Sequence, residues 1–165
     1  LIFRLLSLVS VAATCLAGCG GSDEGSNAVG NATGADETFV SLCEDTADID
    51  TWTQAPISRD GENYSLRLMA ISPEPWSVGD NDWRIEVKDK EGTMIDGASL
   101  FVTPYMPDHG HGVSPPNYDG IQASDGLYDI DTFNLIMPGF WEMTVTVGSD
   151  QAPTEAMAFR ICVES

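Results

Sequence analysis

From about residue 37 onward, apolar side chains recur at every second position. Trp83, Ile85 and Val87 alternate with Arg84, Glu86 and Lys88, the pattern of a half-buried strand with a charged outer face. Tyr64, Leu66, Leu68 and Ala70 repeat it against Ser65 and Arg67, and Ala98, Leu100 and Val102 lead into Pro104. Trp141, Met143, Val145 and Val147 alternate with Glu142, Thr144 and Thr146, and Met157, Phe159, Ile161 and Val163 form a last run. Tyr128, Ile130 and Phe133 to Leu135 predict one or two shorter strands, and Phe39 to Cys43 a first one. Turn signals stand between the runs: Asp60-Gly61, Glu91-Gly92, Asp96-Gly97, Asp119-Gly120 and Asp125-Gly126. No segment carries a capped helical stripe. Seven or so short strands in roughly 125 residues predict an all-β fold, an immunoglobulin-like antiparallel β-sandwich of about seven strands. A small barrel is the second choice.

The first 36 residues break this period. Arg4 precedes an apolar run from Leu5 to Cys15, too short to span about 30 Å of hydrocarbon but suited to a signal-peptide core. The run ends in Leu16-Ala17-Gly18-Cys19, which resembles the bacterial lipobox, in which the Cys is acylated and becomes the first mature residue. Residues 1–18 are therefore expected to be a lipoprotein signal peptide and Cys19 the lipid-bearing residue. The Gly-, Ser- and Asn-rich stretch over 19–36 reads as a flexible tether, and 37–165 as the sandwich domain. The expected location is the bacterial cell envelope, anchored through lipid and facing away from the cytoplasm. Cys15 leaves with the leader and Cys19 is used by lipid, so of the four cysteines Cys43 and Cys162 remain. In an oxidising compartment a disulfide between them is expected, with two buried thiols or a two-Cys metal site as alternatives.

Charge removes whole classes of partner. Seven Lys+Arg against 26 Asp+Glu give a formal net charge of −19, a field that repels nucleic acid and anionic lipid headgroups alike. The contact with membrane is thus expected to come from the lipid on Cys19, with an envelope protein as a further partner. Asp125, Asp129 and Asp131, and Asp45, Asp48 and Asp50, invite a calcium reading, but neither set follows the twelve-residue EF-hand loop. Solvated turns explain them more simply. No nucleophile–base signature, zinc-protease helix motif or phosphate-cradling glycine loop is present, so no enzyme is expected.

Two histidines stand together in Met106-Pro107-Asp108-His109-Gly110-His111-Gly112, just past the strand predicted to end at Pro104-Tyr105. Imidazoles and thioethers together suit copper, with Met favouring Cu(I). That phrase, followed by Asp125-Gly126-Leu127-Tyr128, Phe133 to Met137 and Pro138-Gly139-Phe140-Trp141, resembles the YtkA-like (FixH-related) family over roughly residues 60–163. The resemblance implies a small, exported, often lipid-anchored domain of immunoglobulin-like fold with a part in copper handling. It carries over His109, His111, Met106 and Met137 as candidate metal ligands. The histidines have a plainer reading as exposed loop residues. Met143 and Trp141 share the parity of Val145 and are expected in the core, and Met137 fits core or site. Two functions follow: a copper-binding or copper-delivery accessory, or a non-metal module that contacts another envelope protein. The first requires the imidazoles and a Met sulfur to converge. The second requires splayed histidines and an exposed apolar patch.

Overall fold

Period-two runs need partners for their backbone amides and cover for their apolar faces, and here both come from antiparallel neighbours. The computed structural model describes residues 43–44 and 46–164. The leader, the tether, Cys19 and the strand expected over Phe39–Cys43 lie outside them, apart from Cys43 itself, which sits in a turn. Nine strands follow in chain order: β1 (Ile57–Asp60), β2 (Tyr64–Ser72), β3 (Gly79–Asp89), β4 (Ser99–Met106), β5 (His111–Gly112), β6 (Tyr118–Ser124), β7 (Leu127–Leu135), β8 (Gly139–Ser149) and β9 (Ala152–Val163). Among the described residues no helix is long and apolar enough to cross a membrane.

The strands pair in the order β1-β2-β3-β7-β6-β4-β8-β9, with β5 on the side of β4. One layer is β1-β2-β3-β7-β6 and the other is β4-β8-β9 with β5. Strand β6 joins them, pairing with β7 from Gly120 onward and with β4 through Tyr118 and Asp119. The result is the expected immunoglobulin-like sandwich, with three strands beyond those the pattern predicts: β1, β6 and the two-residue β5. β1 is short and β6 is mostly exposed, so neither shows a clean apolar alternation. Asp119-Gly120, expected as a turn, lies inside β6. A Cβ at Gly120 would stand 2.9 Å from Leu100 Cδ2, so the glycine serves close packing rather than chain reversal.

The inner faces meet around Trp83, whose ring lies edge-on to Phe133 at 5.5 Å and to Phe159 at 5.8 Å. Trp83, Trp141, Tyr128, Met143 and Phe159 are all buried, as their parity requires. The buried Tyr128 hydroxyl donates to Ile95 O at 2.9 Å and accepts from Ala98 N at 2.8 Å, tying the β3–β4 connection to the core.

Where the outer strands β1 and β9 face each other, Arg59 closes the gap. Its Nε donates to Ala158 O at 2.8 Å, its Nη2 is paired with the Asp50 carboxylate, and its guanidinium lies 4.9 Å from the Phe159 ring centre. Asp50 forms a parallel bridge with Ile161, donating its N–H to Arg160 O at 2.7 Å and accepting from Arg160 N at 2.8 Å. Cys43 and Cys162 are disulfide-bonded, with Cα atoms 6.0 Å apart.

Candidate metal centre

Strand directions gather the chemistry at one end. Gly79 pairs with Leu135, Gly139 with Val163, and Met106 with His111, so the β2–β3, β4–β5 and β7–β8 connections all emerge together. The Cys43–Cys162 disulfide is at this end too, since Cys162 pairs with Phe140 near the start of β8.

The histidine loop is a tight reversal. His109 N and Gly110 N both donate to Met106 O, at 3.3 and 2.9 Å. The chain then returns along β4 as β5, and a Cβ at Gly112 would lie 2.7 Å from Pro104 O. Glycine at that position is what lets β5 approach β4. Strand β4 runs through Pro104 to Met106, one residue past the predicted end, because pairing with β8 continues to Tyr105 and β5 takes up Met106.

His109 is exposed and His111 half-buried. Their rings lie 5.8 Å apart between centroids, inclined by 62°. Two imidazoles bound to one ion through metal–nitrogen bonds of about 2 Å bring their ring centres to within roughly 6.4 Å of each other. The observed spacing falls inside that limit. His111 Nδ1 lies 3.0 Å from Gly112 O, which holds the proton on Nδ1 and leaves the Nε2 lone pair for a ligand. The His111 ring stands 6.3 Å from that of Trp141, at 77°.

As a candidate ligand Met106 is expected just past the end of its strand. Instead it is the last residue of β4, 1% exposed and directly across from His111. Its inward parity on β4, shared with Leu100 and Val102, places it in the core. Its Cε would sit 2.9 Å from a Cβ at Gly139, so the thioether points toward the start of β8. Met137 lies in the β7–β8 turn, partly buried against the core, and its carbonyl accepts the Trp141 indole N–H at 3.1 Å. The four candidate ligands thus share one end of the sandwich, His109 and His111 as an open pair and Met106 buried behind them. Among the described residues no group of three or more His, Cys, Asp or Glu is placed to hold a metal ion.

Supporting residues escaped the sequence reading. Asn81, 1% exposed, donates to Ser77 O and Gly79 O at 2.8 Å each and accepts from Ser77 N at 3.2 Å, fixing the β2–β3 connection. It stands among aspartates, where it reads as loop. Trp76 donates to Cys162 O at 2.7 Å, and Thr103 Oγ1 donates to Asn117 Oδ1 at 2.7 Å.

One aspartate of each acidic set is held by the chain's own donors. Arg84 forks onto Asp129 at 2.6 and 2.9 Å, and this hydrogen bond, against a smaller effect of burial, holds the Asp129 carboxyl below its ordinary range. Asp50 is taken by Arg59 and the Arg160 amide, and Asp45 lies outside the described residues.

The model of the family described as YtkA-like matches residues 60–146, just over half of the chain. Among solved structures, a DUF4426-family protein from Pseudomonas aeruginosa is similar at 10% identity and a TM-score of 0.45, over 65% of this chain and 96% of its own. A lipoprotein from Bacteroides thetaiotaomicron is similar at 13% identity and a TM-score of 0.37, over 72% of this chain and 88% of its own. No curated protein matches.

Proposed function

The chain belongs to the YtkA-like family, and from that premise we propose that it is a lipid-anchored envelope protein that binds or delivers copper through the His109–His111 loop. The observation that carries the reading is the pairing of two imidazoles at 5.8 Å with a thioether directly across the ladder from one of them. His109 and His111 would hold the ion through nitrogen. Met106, and Met137 in the neighbouring turn, would supply sulfur that favours the cuprous state. A bound copper ion would bring a transferable, redox-active centre to the envelope. The protein's own part is to fix the His111 tautomer through Gly112 O and to keep sulfur out of water.

The anchor reading rests on Leu16-Ala17-Gly18-Cys19. It is tested by labelling cells with a fatty-acid analogue: wild type incorporates label and Cys19→Ala does not. The copper reading is tested by competition with a chromogenic Cu(I) chelator. Wild type competes, and His109→Ala/His111→Ala competes much less. Equal competition by the two proteins removes the loop as the site. No competition by either favours the protein-contact module, which exposed Val78, Tyr105 and Ile136 at the same end support.

A further inference from the structure

We infer that the His109–His111 end is a cation-dependent self-association surface, on which one divalent ion is held jointly by the imidazoles of two copies of this chain. This rests on the reading that these histidines are metal ligands. It goes further in naming what completes the site.

A divalent ion such as Zn²⁺ takes four donors in a closed site. One chain presents two imidazoles, on exposed His109 and half-buried His111. The third neighbour, Met106, is 1% exposed, and its soft thioether suits Cu(I) better than a divalent ion. No further His, Cys, Asp or Glu joins the pair among the described residues. The pair is therefore half of a four-donor site, and a two-fold axis through the ion supplies the same half again.

The surroundings suit such a contact. Among the described residues, three of the five exposed large apolar side chains belong to this end: Val78 at 43%, Tyr105 at 42% and Ile136 at 56%. Val78 and Ile136 flank the Gly79–Leu135 pair on adjacent strands, and Tyr105 pairs with Gly112 beside His111. These residues can bury against their counterparts once two ends meet. The charge at this end makes the meeting conditional. Residues 72–79, 106–117 and 135–139 contain Glu74 and Asp108 but no Lys or Arg. Two copies that each carry a formal −19 repel until a cation sits between them.

The test is sedimentation velocity of the purified full chain, disulfide intact, with Zn²⁺ as the probe. The expected result is a monomer in chelator and a dimer at half an equivalent of Zn²⁺ per chain. His109→Ala/His111→Ala should stay monomeric at every Zn²⁺ concentration. Val78→Asp/Ile136→Asp should raise the dimer dissociation constant at least tenfold while Zn²⁺ still binds in isothermal titration. A monomer that binds one Zn²⁺ per chain overturns the inference and leaves the metal reading standing. A dimer that persists in chelator, or in the double-histidine variant, overturns it as well. Absence of both Zn²⁺ and Cu(I) binding removes this inference together with the metal reading.

Discussion

One substitution separates the packing of Met106 from its proposed part as a ligand. At 1% exposure it belongs to the core, where truncation to Ala would cost about 2–5 kcal/mol. Met106→Leu keeps volume and apolarity while exchanging the Sδ–Cε end for two methyls on Cγ, so its cost should be about 1 kcal/mol. That corresponds to a fall in Tm of about 2–4 °C. The lost methyl is the one that faces Gly139, which adopts a φ of +128° and would place a Cβ 2.9 Å from it. Gly139→Ala should accordingly destabilise wild type more than it destabilises Met106→Leu, because the leucine leaves room for the new methyl. The backbone strain at the positive φ is common to both. Thermal unfolding of the four proteins gives this cycle, and Cu(I) competition on the same samples gives affinity. If the sulfur is a ligand, Met106→Leu weakens Cu(I) at least about tenfold, or 1.4 kcal/mol, against a nearly unchanged fold. Cu(I) affinity within twofold of wild type would refute the thioether's part and leave Met106 as packing alone.

Removing the disulfide with Cys43→Ser/Cys162→Ser opens a loop of 119 residues and should cost about 5 kcal/mol by chain entropy, read as a lower urea midpoint. A thiol assay on denatured, unreduced wild type should find neither of these cysteines titratable. Tyr128→Phe strips the partner from Ile95 O and Ala98 N in a buried setting and should cost about 2–3 kcal/mol by urea unfolding. A loss below about 0.5 kcal/mol would mean that water replaces the hydroxyl. Burial works to raise the Glu155 carboxyl, but the N–H donors of Asn63, Glu62 and Tyr64 outweigh it and hold the group below its ordinary value. Its stabilisation is therefore complete above the unfolded carboxyl range and is lost as pH falls through the lower folded value. Glu155→Gln should flatten that acid limb in urea midpoints measured from pH 6 to pH 3.

The long inward faces were legible because burial on one side of a sheet imposes a period of two. Trp83-Ile85-Val87 and Trp141-Met143-Val145-Val147 needed nothing else. β1 escaped because its inward residues are Ile57 and Arg59, and a strand that turns an arginine over Phe159 shows no apolar alternation. β6 escaped because it changes layers, so only Tyr118 is buried along it. At the candidate centre, adjacency in the chain sets His109 and His111 side by side, but His111 stands in β5 rather than in a loop. Met106 is buried because β4 runs one residue past Tyr105 and Met106 takes its inward parity. Asn81 clamps its own loop through Ser77 and Gly79, and Gly112 and Gly139 admit close approaches by Pro104 and Met106, contacts that an alternation of apolar and polar residues does not signal.

The seam at Asp50 also bears on the order in which the chain can fold as it emerges. Its partners are Arg59, nine residues on, and the Arg160 amide, 110 residues on. Strands β1, β2, β3, β6 and β7 can pair once residue 135 has appeared, so one layer can form while the other is still incomplete. Until β9 arrives, β8 has an open edge, and the apolar faces of Trp83 and Phe133 lack the cover of Phe159. The final twelve-residue strand supplies that cover, the Arg160 amide that bonds Asp50 and the second cysteine together. A chain stalled or clipped before Ala152 therefore retains an unpaired strand edge and an open core, the features that invite aggregation and proteolysis. Completion of this domain is decided by its last strand.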